Sequence, residues 1–307
     1  MKKGKNYDLL VVGAGPAGMT AGMYGVRSGL ETLVVEKGIS GGLTNEAPEI
    51  ENYPGFKQIG GMELAEKIKE QVSEYVEIRE LEEVKEIAHE KKEMQVITEK
   101  DAYRTKAVIV STGTKHRKLG AKGEDKFIGR GISYCATCDG FFFRDKPIIV
   151  VGGGDSAVRE ALYLKNIGCE VTLIHRREKL RAEPYLQKSL EKAGVQILWN
   201  SEVKEIKGDN AVRSIVRYEK KREITEELPV EGVFMAIGEV PVNELAAHMG
   251  IEMDKSGYII ADKSQRTNLE RVYAAGDITG GVRQVVVACA EGTIAATSAY
   301  NDLLELR

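Results

Sequence analysis

At 307 residues the chain has room for about two domains. Hydrophobic residues make up 42% and charged residues 30%, enough apolar material for more than one soluble core and too polar for a membrane-embedded chain. The net charge of −3 excludes a general attraction to nucleic acid or to an anionic membrane surface.

The basic start, Met1 to Lys5, runs into the apolar Leu9–Val12. A secretory leader needs a longer apolar run, and here Asp8 precedes it and glycines follow, so a buried strand fits better. No stretch approaches the ~18 apolar residues of a membrane span. The expected compartment is the cytoplasm, where disulfides are absent or catalytic.

Residues 7–12, YDLLVV, read as a buried parallel strand. GAGPAG follows, with Gly13, Gly15 and Gly18 in the G-x-G-x-x-G spacing, then a helical stretch of small residues. A second strand, ETLVVEK, ends at Glu36. In such a unit Gly13 permits the tight turn and Gly15 lets backbone approach a pyrophosphate. Gly18 lets helix pack on strand, and Glu36 accepts hydrogen bonds from ribose hydroxyls. Strand, turn, helix, strand and acid together point to a dinucleotide of the FAD or NAD kind.

Residues 66–113 suggest a helix, then short alternating strands, then a late strand ending at Thr112-Gly113. Next comes ISYCATCDG, with Cys135 and Cys138 two residues apart. That spacing marks either a redox pair or half of a metal site. A closed zinc site needs about four ligands, and the other two cysteines, Cys169 and Cys289, each stand alone. Both read as small buried apolar residues. At the start of a helix the Cys135–Cys138 pair can close a disulfide, and the helix dipole favours its thiolates. The adjacent Asp139 is placed to protonate a leaving thiolate, so Cys135, Cys138 and Asp139 are the expected catalytic residues, with no metal.

The phosphate unit then recurs. The strand PIIVV leads to Gly152, Gly154 and, at the third position, Ala157, and the second strand ends at His175. His175 follows Gly152 at the offset by which Glu36 follows Gly13. The acid is replaced by His175-Arg176-Arg177, with Arg181 just beyond. A 2′-hydroxyl wants an acceptor, whereas a 2′-phosphate wants forked cationic donors, so the second unit suits NADP. Its late strand ends at Ile237-Gly238. The tail, LERVYAAGDITGG and a long helix, has no counterpart in the second unit. It should return to the first domain, bringing Asp277 to the dinucleotide and aiming the helix that begins near Gln284 at a ring that gains negative charge.

The fold class expected is therefore α/β, with two dinucleotide-binding, Rossmann-like domains, the second inserted in the first. The first spans 1–116 and 245–307, the second 117–244, with a hinge near 114–120 and 241–247.

GAGPAG, EIENYPGF, STGTK, ISYCATCDG, VGGGDSA, HRREKLRAE and YAAGDI…RQVVVACAEG occur in that order over nearly the whole chain. Together they resemble the low-molecular-weight thioredoxin reductase family. The resemblance implies a homodimer that passes electrons from NADPH through FAD to an internal disulfide and on to thioredoxin. It assigns Cys138 to face the flavin and Cys135 to attack the protein substrate. It places FAD on Gly13, Gly15, Pro16, Ala17, Gly18, Glu36, Lys37, Gly42, Leu43, Thr44, Asn52, Thr112, Gly113, Gly276, Asp277, Arg283, Gln284 and Val285. It places NADPH on Gly152, Gly154, Asp155, Ser156, Ala157, His175, Arg176, Arg177, Arg181, Ile237 and Gly238. One departure is a glutamine the family carries between the glycine pair and Leu-Thr; here Gly41-Gly42 runs directly into Leu43-Thr44. Two alternatives are a ferredoxin- or flavin-linked reductase on the same scaffold, which needs no cysteine pair, and a flavin-binding redox sensor, which needs no second nucleotide site.

Overall fold

A computed structural model describes residues 6–47, 49–89 and 93–305; the basic start lies outside them. By contacts the chain divides into two compact units, residues 1–46, 53–115 and 240–307, and residues 47–52 and 116–239. The seams expected at 116/117 and 244/245 compare with 115/116 and 239/240 here.

The first unit opens with β1 (Asn6–Val12), α1 (Pro16–Arg27) and β2 (Thr32–Val35), followed by α2 (Gly61–Ser73), β3 (Glu77–Arg79), β4 (Val84–His89), β5 (Met94–Thr98) and β6 (Ala102–Val110). The sheet order is β3-β2-β1-β6-β5-β4. β1 lies parallel to β2 and β6, whereas β4, β5 and β6 run antiparallel. Side chains of β1 alternate between two cores: Leu9 and Val11 face one, Leu10 and Val12 the other. A strand covered on both faces reads as an unbroken apolar run, which is why YDLLVV was legible.

After β6 the chain passes through β7 (Thr114–His116) into the second unit. There follow α3 (Glu124–Phe127), β8 (Ile132–Ser133), α4 (Ala136–Asp139), β9 (Pro147–Gly152), α5 (Asp155–Asn166), β10 (Glu170–Ile174), α6 (Pro184–Lys192) and β11 (Gln196–Leu198). An antiparallel sheet of β12 (Ser201–Gly208), β13 (Val212–Glu219) and β14 (Ile224–Pro229) precedes β15 (Gly232–Ala236). The main sheet, β11-β10-β9-β15-β8, is parallel throughout. β9 splits its residues between two cores as β1 does, Ile148 and Val150 against Ile149 and Val151.

The chain leaves through β16 (Glu239–Pro241) and returns to the first unit as α7 (Glu244–Met249), β17 (Val272–Ala274) and α8 (Val285–Leu304). β17 pairs with the second half of β6, whose first half pairs with β5. α8 packs on α1, and the fit is close: a Cβ on Gly292 would lie 2.2 Å from Ala17 O. Small residues on α8 therefore serve backbone approach.

Candidate functional site

Each unit carries a glycine turn between a central parallel strand and the helix after it, β1 and α1 in the first and β9 and α5 in the second, at the point where the strand order changes direction, the usual ligand crevice of open α/β sheets. In the first turn Gly13 has φ +102°, and a Cβ there would lie 2.4 Å from Ser111 O. A Cβ on Gly18 would meet Gly13 O at 1.8 Å. Both glycines are required by the protein itself. Gly15 is different, because a Cβ there meets nothing within 4 Å. The space it leaves is open, as a cradle for pyrophosphate must be. No side chain caps the first turn of α1, which begins at Pro16-Ala17, so its N–H groups stay available to an anion.

Glu36 follows β2, and its carboxylate braces the turn: Ala14 N–H donates to one oxygen and Gly38 N–H to the other, both at 2.7 Å. A carboxylate has about four acceptor sites, so capacity for ribose hydroxyls remains. Lys37 follows it in sequence. The loop at Gly41–Thr44 docks on the same turn. Gly41 N–H donates to Ala14 O at 2.8 Å, and the Gly42 Cβ position lies 3.5 Å from Gly15 Cα. Leu43 and Thr44 continue as a 3-10 turn.

Thr112 donates its hydroxyl to Val242 O at 2.6 Å, and Gly113 next to it has φ +66°. Gly276, at φ +81°, comes so close to α1 that a Cβ would lie 2.8 Å from Ala17 Cβ. Gly276 N–H donates to Glu291 on α8 at 2.7 Å, which fixes the loop that carries Asp277. Glu291 is half-buried, and burial pushes its carboxyl pKa up. Sequence reasoning missed it, since nothing local ties it to Gly276. Gln284 is the N-cap of α8, Val285 its first residue, and Arg283 reaches Tyr258 OH at 3.4 Å. Asn52 stands apart: it falls in the segment 47–52, which groups with the second unit.

In the second turn a Cβ on Gly152 would meet Ala157 Cβ at 2.5 Å, while Gly154 again faces open space. α5 starts at Asp155, with Ser156 exposed. Asp155 accepts Glu183 N–H at 2.8 Å, so it braces the basic loop. Arg176, Arg177 and Arg181 are exposed there. Ile237 and Gly238, φ +91°, follow the end of β15. His175 differs from expectation. Its ring is buried, with Nδ1 2.7 Å from Gly152 O and Nε2 3.0 Å from Lys179 O, so both nitrogens are occupied by backbone.

Cys135 and Cys138 are joined as a disulfide. Cys135 is the N-cap of α4, its sulfur accepting Cys138 N–H at 3.2 Å. Asp139 is buried in the same turn. Its Oδ2 accepts the Ser133 hydroxyl at 2.6 Å, and its Oδ1 has no hydrogen-bond partner among the described residues. Burial pushes the carboxyl pKa up, and the serine hydroxyl partly opposes this. The carboxyl therefore binds its proton more tightly than an exposed aspartate, one turn from the disulfide. Ser133 also accepts Cys135 N–H at 3.1 Å, joining acid and thiol in one network. Cys169 is buried as expected; Cys289 is only partly so, and burial raises its thiol pKa.

The model of the pyridine nucleotide-disulphide oxidoreductase family matches residues 7–292. The thioredoxin reductase of Listeria monocytogenes is 42% identical over 99% of this chain and 96% of its own. That of Bacillus subtilis is 40% identical over 100% and 98%. The crystal structure of thioredoxin reductase from Streptococcus pyogenes superposes with a TM-score of 0.93 at 40% identity, covering 99% of this chain and 100% of that one. With two dinucleotide turns in sequence and a disulfide beside the second, this chain belongs to the pyridine nucleotide-disulphide oxidoreductase family.

Proposed function

We propose that the chain is an NADPH-dependent thioredoxin-disulfide reductase, with FAD in the first unit and NADPH in the second. The observation that carries the reading is the Cys135–Cys138 disulfide beside a buried acid, in the unit that also bears the arginine loop. Relatives that match end to end are thioredoxin reductases, which supports thioredoxin or a thioredoxin-like protein as the acceptor.

The turn Gly13–Gly18, Glu36-Lys37, Gly42–Thr44, Asn52, Thr112-Gly113, Gly276-Asp277 and Arg283–Val285 would hold FAD. The open cradle at Gly15 and the uncapped start of α1 fit its pyrophosphate. When bound, FAD supplies a two-electron relay between nicotinamide and disulfide. Gly152, Gly154–Ala157, Ile237-Gly238 and the three arginines would hold NADPH, the arginines at the 2′-phosphate.

Two electrons break the Cys135–Cys138 bond and leave two sulfurs that share the incoming protons. The Cys135 thiolate attacks one sulfur of the substrate disulfide, forming a mixed disulfide and expelling the other sulfur as a thiolate. Asp139 gives a proton to a departing thiolate. Cys138 then attacks Cys135, which restores the internal disulfide and releases the reduced dithiol.

The thiol pair must meet flavin in one half-reaction and a protein in the other, so the units alternate between two arrangements through the segments 114–120 and 241–247. A disulfide engineered to lock the units together should stop turnover. The enzyme acts as a cytoplasmic homodimer; exposed Val286 and Ile294 on α8 offer a second copy an apolar stripe. Anaerobic titration of the yellow protein with NADPH tests the whole reading. Wild type should take up more reductant than Cys138→Ser before the flavin bleaches fully, and thioredoxin disulfide should restore the colour. Bleaching by NADPH with no difference between the two proteins would refute it.

A further inference from the structure

The duplication supplies an internal comparison. Gly13, Ala14, Gly15 and Glu36 of the first turn occupy the places of Gly152, Gly153, Gly154 and His175 in the second. In the first, a carboxylate reaches back to the N–H of Ala14. In the second, an imidazole sits on a residue that has no side chain. A Cβ on Gly153 would lie 2.1 Å from His175 Nδ1 and 2.2 Å from Cε1, and the three nearest atoms all belong to that ring. Gly153 is a glycine to seat the histidine.

The arginine loop turns around the same ring. His175 Nε2 faces Lys179 O from inside it, and Arg181 N–H donates to Gly153 O at 2.7 Å. Leu180 and Ala182 point into the core, while Arg176, Arg177, Lys179 and Arg181 face solvent. Residues 176–181 hold four cations against one acid, Glu178, which pairs with Lys221 outside the loop, so the net repulsion calls for an anchor to present the cations as one site.

We propose that His175, seated on Gly153, is a positioning residue that selects 2′-phosphorylated nucleotides by holding the arginine loop against the glycine turn. It does so without touching the ligand, because its ring is buried and both nitrogens face backbone carbonyls. The inference rests on the reading of the second turn as the NADPH site. The Ala14–Glu36 and Gly153–His175 pairs are then two forms of one brace, the first for a ribose hydroxyl and the second for a phosphate.

The test is calorimetric binding of 2′,5′-ADP and 5′-ADP to the oxidised flavin-loaded protein. Wild type should prefer 2′,5′-ADP; no preference would show that the site reading itself has failed. His175→Phe keeps the ring and removes its nitrogens, and Gly153→Ala displaces the ring from the other side. Each should weaken 2′,5′-ADP at least about tenfold, the worth of one charge-assisted hydrogen bond, and leave 5′-ADP within about twofold. His175→Gln, which keeps polar atoms, should retain part of the preference. Gly153→Ala combined with His175→Glu rebuilds the first unit's pair, and its effect should be smaller than the sum of the single effects. Given a wild-type preference, undiminished selectivity in both single variants, or equal loss of both ligands, would overturn the proposal. Flavin content and thermal midpoint establish folding, and if His175→Phe fails to fold, Gly153→Ala and His175→Gln decide.

Discussion

Replacing Ser133 by alanine removes the hydroxyl that donates to Asp139 and accepts Cys135 N–H, and the direction of the result on the acid is set by geometry. The Ser133 hydroxyl donates to Asp139 Oδ2 at 2.6 Å, and the carboxyl is buried. A hydrogen bond to a charged group contributes about 1.5–3 kcal/mol, and one pKa unit corresponds to ~1.36 kcal/mol. The bond favours the carboxylate, so its loss should raise an already elevated pKa by about one to two units. In the proposed role Asp139 acts as an acid in its protonated form, so turnover with thioredoxin should decline as pH rises through that pKa. In Ser133→Ala the alkaline limb should move to higher pH by the same one to two units. Stability follows the same sign. A raised carboxyl pKa contributes stability that is whole below the unfolded value of about 3.9 and is lost as pH rises through the folded value. The deficit of the variant relative to wild type should therefore be larger at neutral pH than in acid, where only the pH-independent loss of the Cys135 N–H acceptor remains. A pH–rate profile, with Asp139→Asn as the control lacking the limb, measures the shift. A limb that stays in place or moves down in Ser133→Ala, or one that persists in Asp139→Asn, would refute the assignment.

The two glycine classes of the first turn should separate in mutagenesis. The methyl of Gly15→Ala meets no protein atom within 4 Å and stands on extended backbone, so the apoprotein should melt within about 2 °C of wild type but retain less flavin on purification. Gly18→Ala drives a methyl into Gly13 O and should cost the apoprotein about 1–3 kcal/mol or more in denaturant titration. Tyr273, fully buried, donates to Asp302 at 2.6 Å, and Arg266 pairs with the same carboxylate at 2.7 and 2.9 Å. Tyr273→Phe should cost about 1.5–3 kcal/mol. The Arg266 guanidinium holds the Asp302 carboxyl below its ordinary value, so its contribution is present above about pH 3.9 and lost as pH falls through the folded pKa; acid titration of Asp302→Asn should show a flatter loss. Arg177→Ala and Arg181→Ala should each raise KM for NADPH about tenfold and leave kcat and NADH use unchanged.

Much of the site was legible because its signals are local. A turn that must approach phosphate needs glycine at fixed spacing, and two such turns, each with an apolar strand before and a helix after, define two nucleotide units. The acid at Glu36 and the cations after His175 lie at the end of the next strand, a distance set by one strand–helix–strand unit. The cysteine pair is equally local, a two-residue gap at a helix start. Even the return of the tail was readable, because the second unit has no equivalent for it.

What sequence leaves open is where a side chain points once the chain is folded. Ser133 reads as an ordinary strand residue until the turn of α4 carries Asp139 back to it. Glu291 reads as a polar residue on a long helix until α8 packs on α1 and brings it under Gly276. His175 looks like the first of the nucleotide-facing cations, and only the fold turns its ring inward against Gly153. The amino-acid order by itself settled the α/β class, the duplicated phosphate turns and the redox pair, since these rest on residues bonded within one supersecondary unit. The tertiary structure alone decided which groups hold the site rather than face a ligand, because that depends on contacts between segments far apart in the chain, and local propensity carries no information about them.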